Sequence, residues 1–389
     1  MNIVNFLLGL SMILLCAKLF GELALHIGQS EIIGELFAGI VLGPCMFNVI
    51  HETPILLMMA EIGSIILLFD VGLSINIKNF IKSSKLAFLV AISGILIPYL
   101  FVYIVFTSFH FTKFQAAFAA AILTATSIAV TARILKDSNK LETQEAEIVL
   151  GAAFIDDILG IFILTIVLKI ISGKSITTYS VIQILIRIII FFISAILFSV
   201  ILPLVYKLIA KMKQEYSLLI VTICICFMIA TIAVKAELAT IVGAFIFGIM
   251  LTRTHTIKQI KQDIKPLYSF FVPIFFVLMG SNIKLNIFNP FIMDNAKFMI
   301  ITLVIFIASF LGKLLSGFII LRKGVDKLII GLSMVPRGEV GLIFARIGLQ
   351  HNIFETNYYS VLVTVIMLLT LITPIILKYL LGKRNLTTI

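Results

Sequence analysis

Two adjacent aspartates, Asp156 and Asp157, stand in the run GAAFIDDILGIFIL with apolar or small residues on both sides. A carboxylate placed there can carry a proton, ligate a hard cation through oxygen, or pair with a buried base. Successive helix positions point about 100° apart, so the two cannot share one partner squarely. One can face a fixed countercharge while its neighbour faces a cavity. Gly151, Ala152, Ala153 and Gly160 leave room for a close backbone or for water. The natural countercharge is Lys313, central in IASFLGKLLSGF and surrounded by the small residues Ser309, Gly312, Ser316 and Gly317. In SMVPRGEVGLIFARIGL, Pro336 and Gly338 interrupt an apolar run and free backbone groups. Arg337 and Glu339 sit at that break as helix-break support, where charges offset half-helix dipoles. The stretch TATSIAVTARIL offers the hydroxyls of Thr124, Thr126 and Ser127. These either ligate a cation or bond back to backbone carbonyls. The stretch contains neither Gly nor Pro, so it predicts a continuous helix.

Such charges are costly only in lipid, and the composition places them there. Of 389 residues, 61% are hydrophobic and 13% charged, against about half and about a quarter in soluble domains. Apolar segments fall at 4–25, 32–49, 54–75, 86–108, 114–135, 146–171, 180–206, 216–234, 236–252, 266–282, 298–320, 327–349 and 358–381. The fold class predicted is an all-α polytopic membrane protein of thirteen transmembrane helices in the lipid bilayer. The net charge of +11 is topological, since no nucleic-acid-binding motif accompanies it. Sorting Lys and Arg by connecting loop gives nineteen on one side, Arg133 and Lys136 among them, and six on the other. The positive-inside rule then sets the amino terminus outside and the carboxyl terminus in the cytoplasm. The chain is thus a multi-pass protein of the inner (cytoplasmic) membrane. Residues 4–25 read as a retained first helix, because no basic region precedes them.

Lys18, Arg187, Lys313, Arg337 and Arg346 are the basic residues left inside apolar segments. Among the acids there, Glu35, Glu61 and Asp70 are expected to form structural pairs. Cys16, Cys45, Cys224 and Cys226 lie in apolar runs without metal spacing and read as packing residues. The five histidines lie in or beside loops.

The two halves of the chain echo one another. AGIVLG at 38–43 resembles GAFIFG at 243–248, FDVGLSINIKNF at 69–80 resembles FVLMGSNIKLNIF at 276–288, and TARIL at 131–135 resembles FARIG at 344–348. Each pair is seven segments apart. Seven is odd, so the second copy enters the membrane inverted, as in many secondary transporters. The expected organisation is a first repeat over 1–172, a linking span over 173–212 and a second repeat over 213–389.

The aspartate doublet, the hydroxyl stretch, Lys313 and the PRGE of residues 336–339 together resemble bacterial sodium/proton antiporters of the monovalent cation:proton antiporter-2 family. The resemblance covers essentially the whole chain. It implies a homodimer, a dimerising scaffold beside a moving six-helix core, and two broken helices that cross. It further implies Asp157 as main Na⁺ ligand, Asp156 as partner of Lys313, and Thr126 with Ser127 at the crossing. Relatives gated through a nucleotide-binding domain carry it after the last helix; no glycine-rich fingerprint follows segment 13, so none is expected here. No cofactor is called for, only transported Na⁺ and H⁺.

A carboxyl group withheld from water titrates closer to neutrality. It holds a proton or an alkali cation but not both, and that competition is exchange if the site alternates between membrane faces. The reading is therefore a transporter, not an enzyme, exchanging cytoplasmic Na⁺ for external protons by an elevator-like, electrogenic cycle relevant to pH homeostasis. Li⁺ or K⁺ in place of Na⁺ stays open, as does K⁺/H⁺ antiport. A sodium-coupled organic-solute symporter or an ion channel on the same fold are the remaining alternatives. An intramembrane aspartyl protease needs carboxylates opposed from different helices, which a sequence-adjacent doublet does not provide.

Overall fold

In this computed structural model, the described residues are 3–44, 46–50, 53–171, 178–209, 212–282, 295–322 and 324–386. The 172/173 repeat boundary, Cys45 and the end of the 276–288 repeat segment lie outside them. Sixteen α-helices are described among these residues. They are α1 (Ile3–His26), α2 (Glu31–Leu42), α3 (Pro54–Leu73), α4 (Ile77–Ser108), α5 (Lys113–Ile122), α6 (Ile128–Asp137), α7 (Gln144–Ile171) and α8 (Thr178–Ile209). There follow α9 (Ser217–Lys235), α10 (Thr240–Leu251), α11 (Ile257–Asp263), α12 (Lys265–Ser281), α13 (Asn295–Ser316), α14 (Lys327–Ser333), α15 (Glu339–Gln350) and α16 (Thr356–Leu386).

Local chemistry starts these helices where polar residues interrupt the apolar runs. Asn76 accepts from the backbone N–H of Lys78 and Asn79 to open α4, and Asp326 does the same for α14 through Leu328 and Ile329. Thr112 and Gln115 form a reciprocal capping box at α5. Pro266, which cannot donate a backbone hydrogen bond, lies just past the 53° bend between α11 and α12.

The chain is an all-helical polytopic membrane protein. Among the described residues, seven helices are long and apolar enough to cross a membrane, or eight if the bent α11–α12 pair counts as one. Apart from α7, with 28 residues, the four remaining segments fall short for physical reasons. Helices α2 and α10 have 12 residues each, which is about 18 Å against a hydrocarbon core of about 30 Å. Segments 5 and 12 are each split into two short helices, α5–α6 and α14–α15.

Helix α4 packs on α7 and α13, and α13 in turn on α16. Helix α3 packs on α10 and α12, and α2 on α1 and α12. The two groups meet where α6 lies against α2 and α3 and where α16 touches α2. Small residues set the spacing within the second group. A Cβ on Gly248 of α10 would run into the Phe69 carbonyl of α3, and one on Gly72 into the Phe245 carbonyl of α10. These backbones are packed to contact, which is how helices associate without a hydrophobic drive.

Gly248→Ala is therefore expected to lower stability by about 1–3 kcal/mol through overpacking, read as a reduced thermal-unfolding midpoint in detergent. Gly9→Ala, where a Cβ meets nothing within 4 Å, should leave the midpoint unchanged. Equal midpoints for both variants would contradict the contact.

Candidate ion-binding site

The hydroxyl stretch is not a continuous helix. Helix α5 ends at Ile122, and the chain leaves helical geometry until Ser127 caps α6 through the Val130 N–H at 3.5 Å. Without Gly or Pro nearby, the cause is not local. Groups from α7 and from the break between α14 and α15 take the backbone positions that a helix would have used. The Thr126 N–H donates to Asp156 Oδ2 at 2.8 Å, and the Ser127 N–H donates to the Pro336 carbonyl at 2.9 Å. Arg337 Nη1 donates to the carbonyls of Thr124 at 3.0 Å and Ala125 at 3.1 Å. In lipid each unsatisfied group would cost several kcal/mol, so these contacts hold the break open.

The second break lies opposite. Helix α14 ends at Ser333 and α15 begins at Glu339, with Pro336, Arg337 and Gly338 between them. The Thr126 hydroxyl donates to the Met334 carbonyl at 3.2 Å, and the Thr131 hydroxyl to the Ser333 carbonyl at 2.6 Å. Thr370 of α16 accepts from the Arg337 N–H at 3.3 Å and donates to its carbonyl at 2.6 Å. Gly338 is required by proximity, since a Cβ there would sit 2.6 Å from Ser127 Oγ. The two interrupted helices thus satisfy one another.

Electrostatics follow the same geometry. Asp156 meets the N-terminal, positive end of α6, while Arg337 meets the carbonyl, negative end of α5. Lys313 Nζ donates to Asp156 Oδ2 at 3.0 Å, with side chains 0% and 1% exposed. Asp156 so receives two donors on one oxygen, partial compensation for its loss of water. Asp157 is also buried, one helix position further on. Oxygen atoms of carboxylates, hydroxyls and freed carbonyls are thereby gathered where the two broken helices meet, a chemistry suited to a hard cation and to protons.

Of the candidate residues, Asp156, Thr126, Lys313, Ser127 and Arg337 are brought into one bonded network. Asp157 adjoins it on α7, and the Glu339 side chain lies outside the described residues. Thr370, and Ser309 as acceptor of Arg337 Nη2 at 2.9 Å, were not legible as polar partners, because isolated hydroxyls in apolar helices usually bond their own backbone. Arg133 and Lys136 are a correction of another kind. Sorted as cytoplasmic loop charges, they instead lie in α6, with Arg133 buried against Glu31, Glu35 and Asp137 and Lys136 paired with Asp70 at 2.5 Å. Glu61 accepts from the Thr240 hydroxyl, and Arg187 pairs with Glu237 at 2.9 Å.

A profile described as the transmembrane sodium/hydrogen exchanger family matches residues 11–383. The chain is 31% identical to the high-affinity Na⁺/H⁺ antiporter NhaS3 of Synechocystis, across 95% of this chain and 88% of that one. It is also 31% identical to the Na⁺/H⁺-K⁺ antiporter GerN of Bacillus cereus, across 98% and 97%. In fold it is similar to the sodium proton antiporter MjNhaP1 of Methanocaldococcus jannaschii, with a TM-score of 0.70 at 17% identity over 98% and 99% of the two chains.

Removing one partner of the central pair should strand the other. Lys313→Ala is expected to destabilise by about 3–5 kcal/mol, seen in thermal unfolding of purified protein. Adding Asp156→Asn should recover most of that loss. Additive losses in the double variant would contradict a direct pair.

Proposed function

The chain belongs to the transmembrane sodium/hydrogen exchanger family and is a transporter of that family rather than an enzyme, and on that premise we propose that it exchanges cytoplasmic Na⁺ for external protons at the crossing of the two broken helices. The observation that carries this reading is a pair of adjacent carboxylates, 1% and 3% exposed, at the point where α5–α6 meets α14–α15. Buried charge of that density in lipid marks an ion or proton path.

In the proposed cycle Asp157 carries either a proton or Na⁺, with oxygens of Asp156, Thr126 and Ser127 available to the cation. Bound Na⁺ draws Asp156 away from Lys313, and the released lysine gives up its own proton. Two protons then move against one Na⁺, so the exchange is electrogenic. The moving core comprises α4–α7 and α13–α16, sliding against a scaffold of α1–α3 and α9–α12 that dimerises. Packing supports two inverted copies: α1 on α2 matches α9 on α10, α4 on α7 matches α13 on α16, and α2 on α12 matches α10 on α3. On this plan α7 together with the short and broken helices completes thirteen crossings, with the amino terminus outside and the carboxyl terminus cytoplasmic. K⁺ is a second substrate to test, because the donors are oxygens alone and the similar GerN is named for K⁺ as well as Na⁺.

Asp157→Asn is expected to abolish Na⁺-evoked pH changes in proteoliposomes containing a pH-sensitive dye, while the folded dimer persists on size-exclusion chromatography. Exchange at the unmodified rate in that variant would refute the assignment.

A further inference from the structure

Helix α6 has a second charged end. Its 10 residues begin beside Asp156 and finish with Arg133, Lys136 and Asp137, spaced i, i+3 and i+4 on one face. That face is turned to α2, α3 and α12. Arg133 Nη2 lies 2.9 Å from Glu31 Oε2 and 3.5 Å from Glu35 Oε1, its Nε is 3.0 Å from Asp137 Oδ1, and its Nη1 donates to Tyr268 Oη at 2.8 Å. Lys136 pairs with Asp70 and lies 3.3 Å over the Tyr268 ring. Ser30 donates to Asp137. Two basic groups of one helix thus bind three carboxylates and a phenol on three helices of the other packing group.

Two properties make this more than packing. First, α6 is a short rod, and Arg133 is about 8 Å along it from Ile128. Any displacement that carries the Asp156 crossing carries Arg133 too. Fork-like guanidinium bonds are either made or broken over such a displacement; they do not stretch. Second, the cluster is imperfect. Glu35 is 2% exposed, yet its Oε2 has no hydrogen-bond partner, so parting the cluster costs less than parting a fully satisfied one.

We propose that the Arg133–Lys136 cluster is a latch that, when made as described here, fastens the helix bearing the ion site to α2, α3 and α12 and shuts the cytoplasmic approach to the site. This rests on the exchange reading for its direction, since the orientation and the moving group come from it. Breaking the latch shifts the population toward the cytoplasm-open conformation, and apparent affinity at each face follows the fraction of protein open to it.

The test compares Arg133→Gln and the milder Asp70→Asn in vesicles sorted by orientation, measuring half-saturating Na⁺ at each face. The latch predicts a lower value at the cytoplasmic face and a higher one outside, their ratio moving roughly three- to tenfold, with Arg133→Lys intermediate. A fall in rate with an unchanged ratio in both variants would mean ordinary structural glue and would overturn the proposal. Hydrogen exchange provides a readout that needs no transport. Amides at the ends of α2 and α6 nearest the cluster should exchange faster in both variants, while those of α9 stay unchanged, and unaltered exchange would also overturn the latch. Failure of the exchange reading would appear separately, as no Na⁺-evoked pH change in the unmodified protein.

Discussion

A helix interrupted in lipid releases backbone N–H and C=O groups that have no water to turn to. Here two helices are interrupted at the same depth of the fold, and each supplies what the other lacks. The carbonyl of Pro336 receives the Ser127 N–H, and the carbonyls of Thr124 and Ala125 receive Arg337. Each break draws its hydrogen-bond partners from the other and from the charges around them. Asp156 is therefore at once a backbone cap for α6 and half of an ion pair with Lys313. A perturbation of its charge reaches the geometry of the break directly.

The buried charges are arranged to cancel locally rather than to add stability. Arg337 offsets the α5 carbonyl end, Asp156 the α6 amide end, and Lys313 the remaining charge on Asp156. A buried pair contributes little net free energy over an apolar replacement. Retaining several of them in lipid is intelligible on the proposed exchange, in which an entering cation would replace an existing positive group instead of creating an unbalanced one. At its other end α6 is held by a second cluster built on the same economy, with Arg133 shared among carboxylates.

Much of this was legible in the sequence because lipid makes charge conspicuous. Asp156, Asp157, Lys313 and Arg337 stood out against apolar neighbours, and Pro336 with Gly338 announced the break in segment 12. The break in segment 5 was not legible. Its causes are Asp156, Arg337 and the Pro336 carbonyl, which lie about 30 to 210 positions away in the chain, and local propensity contains no trace of them. Arg133 was misplaced for a related reason. A base near a segment end satisfies the positive-inside pattern whether it faces water or a buried carboxylate, and only the packing of α2 against α6 separates the two.

In the proposed exchange, a proton and an alkali cation compete for one buried carboxylate site. The most direct measurement is a titration of purified, weakly buffered protein with NaCl, following bound Na⁺ and released protons together across a pH series. Competition predicts protons released on binding and an apparent Na⁺ affinity that weakens steadily as pH falls. Na⁺ binding of constant affinity, with no proton release at any pH, would contradict it.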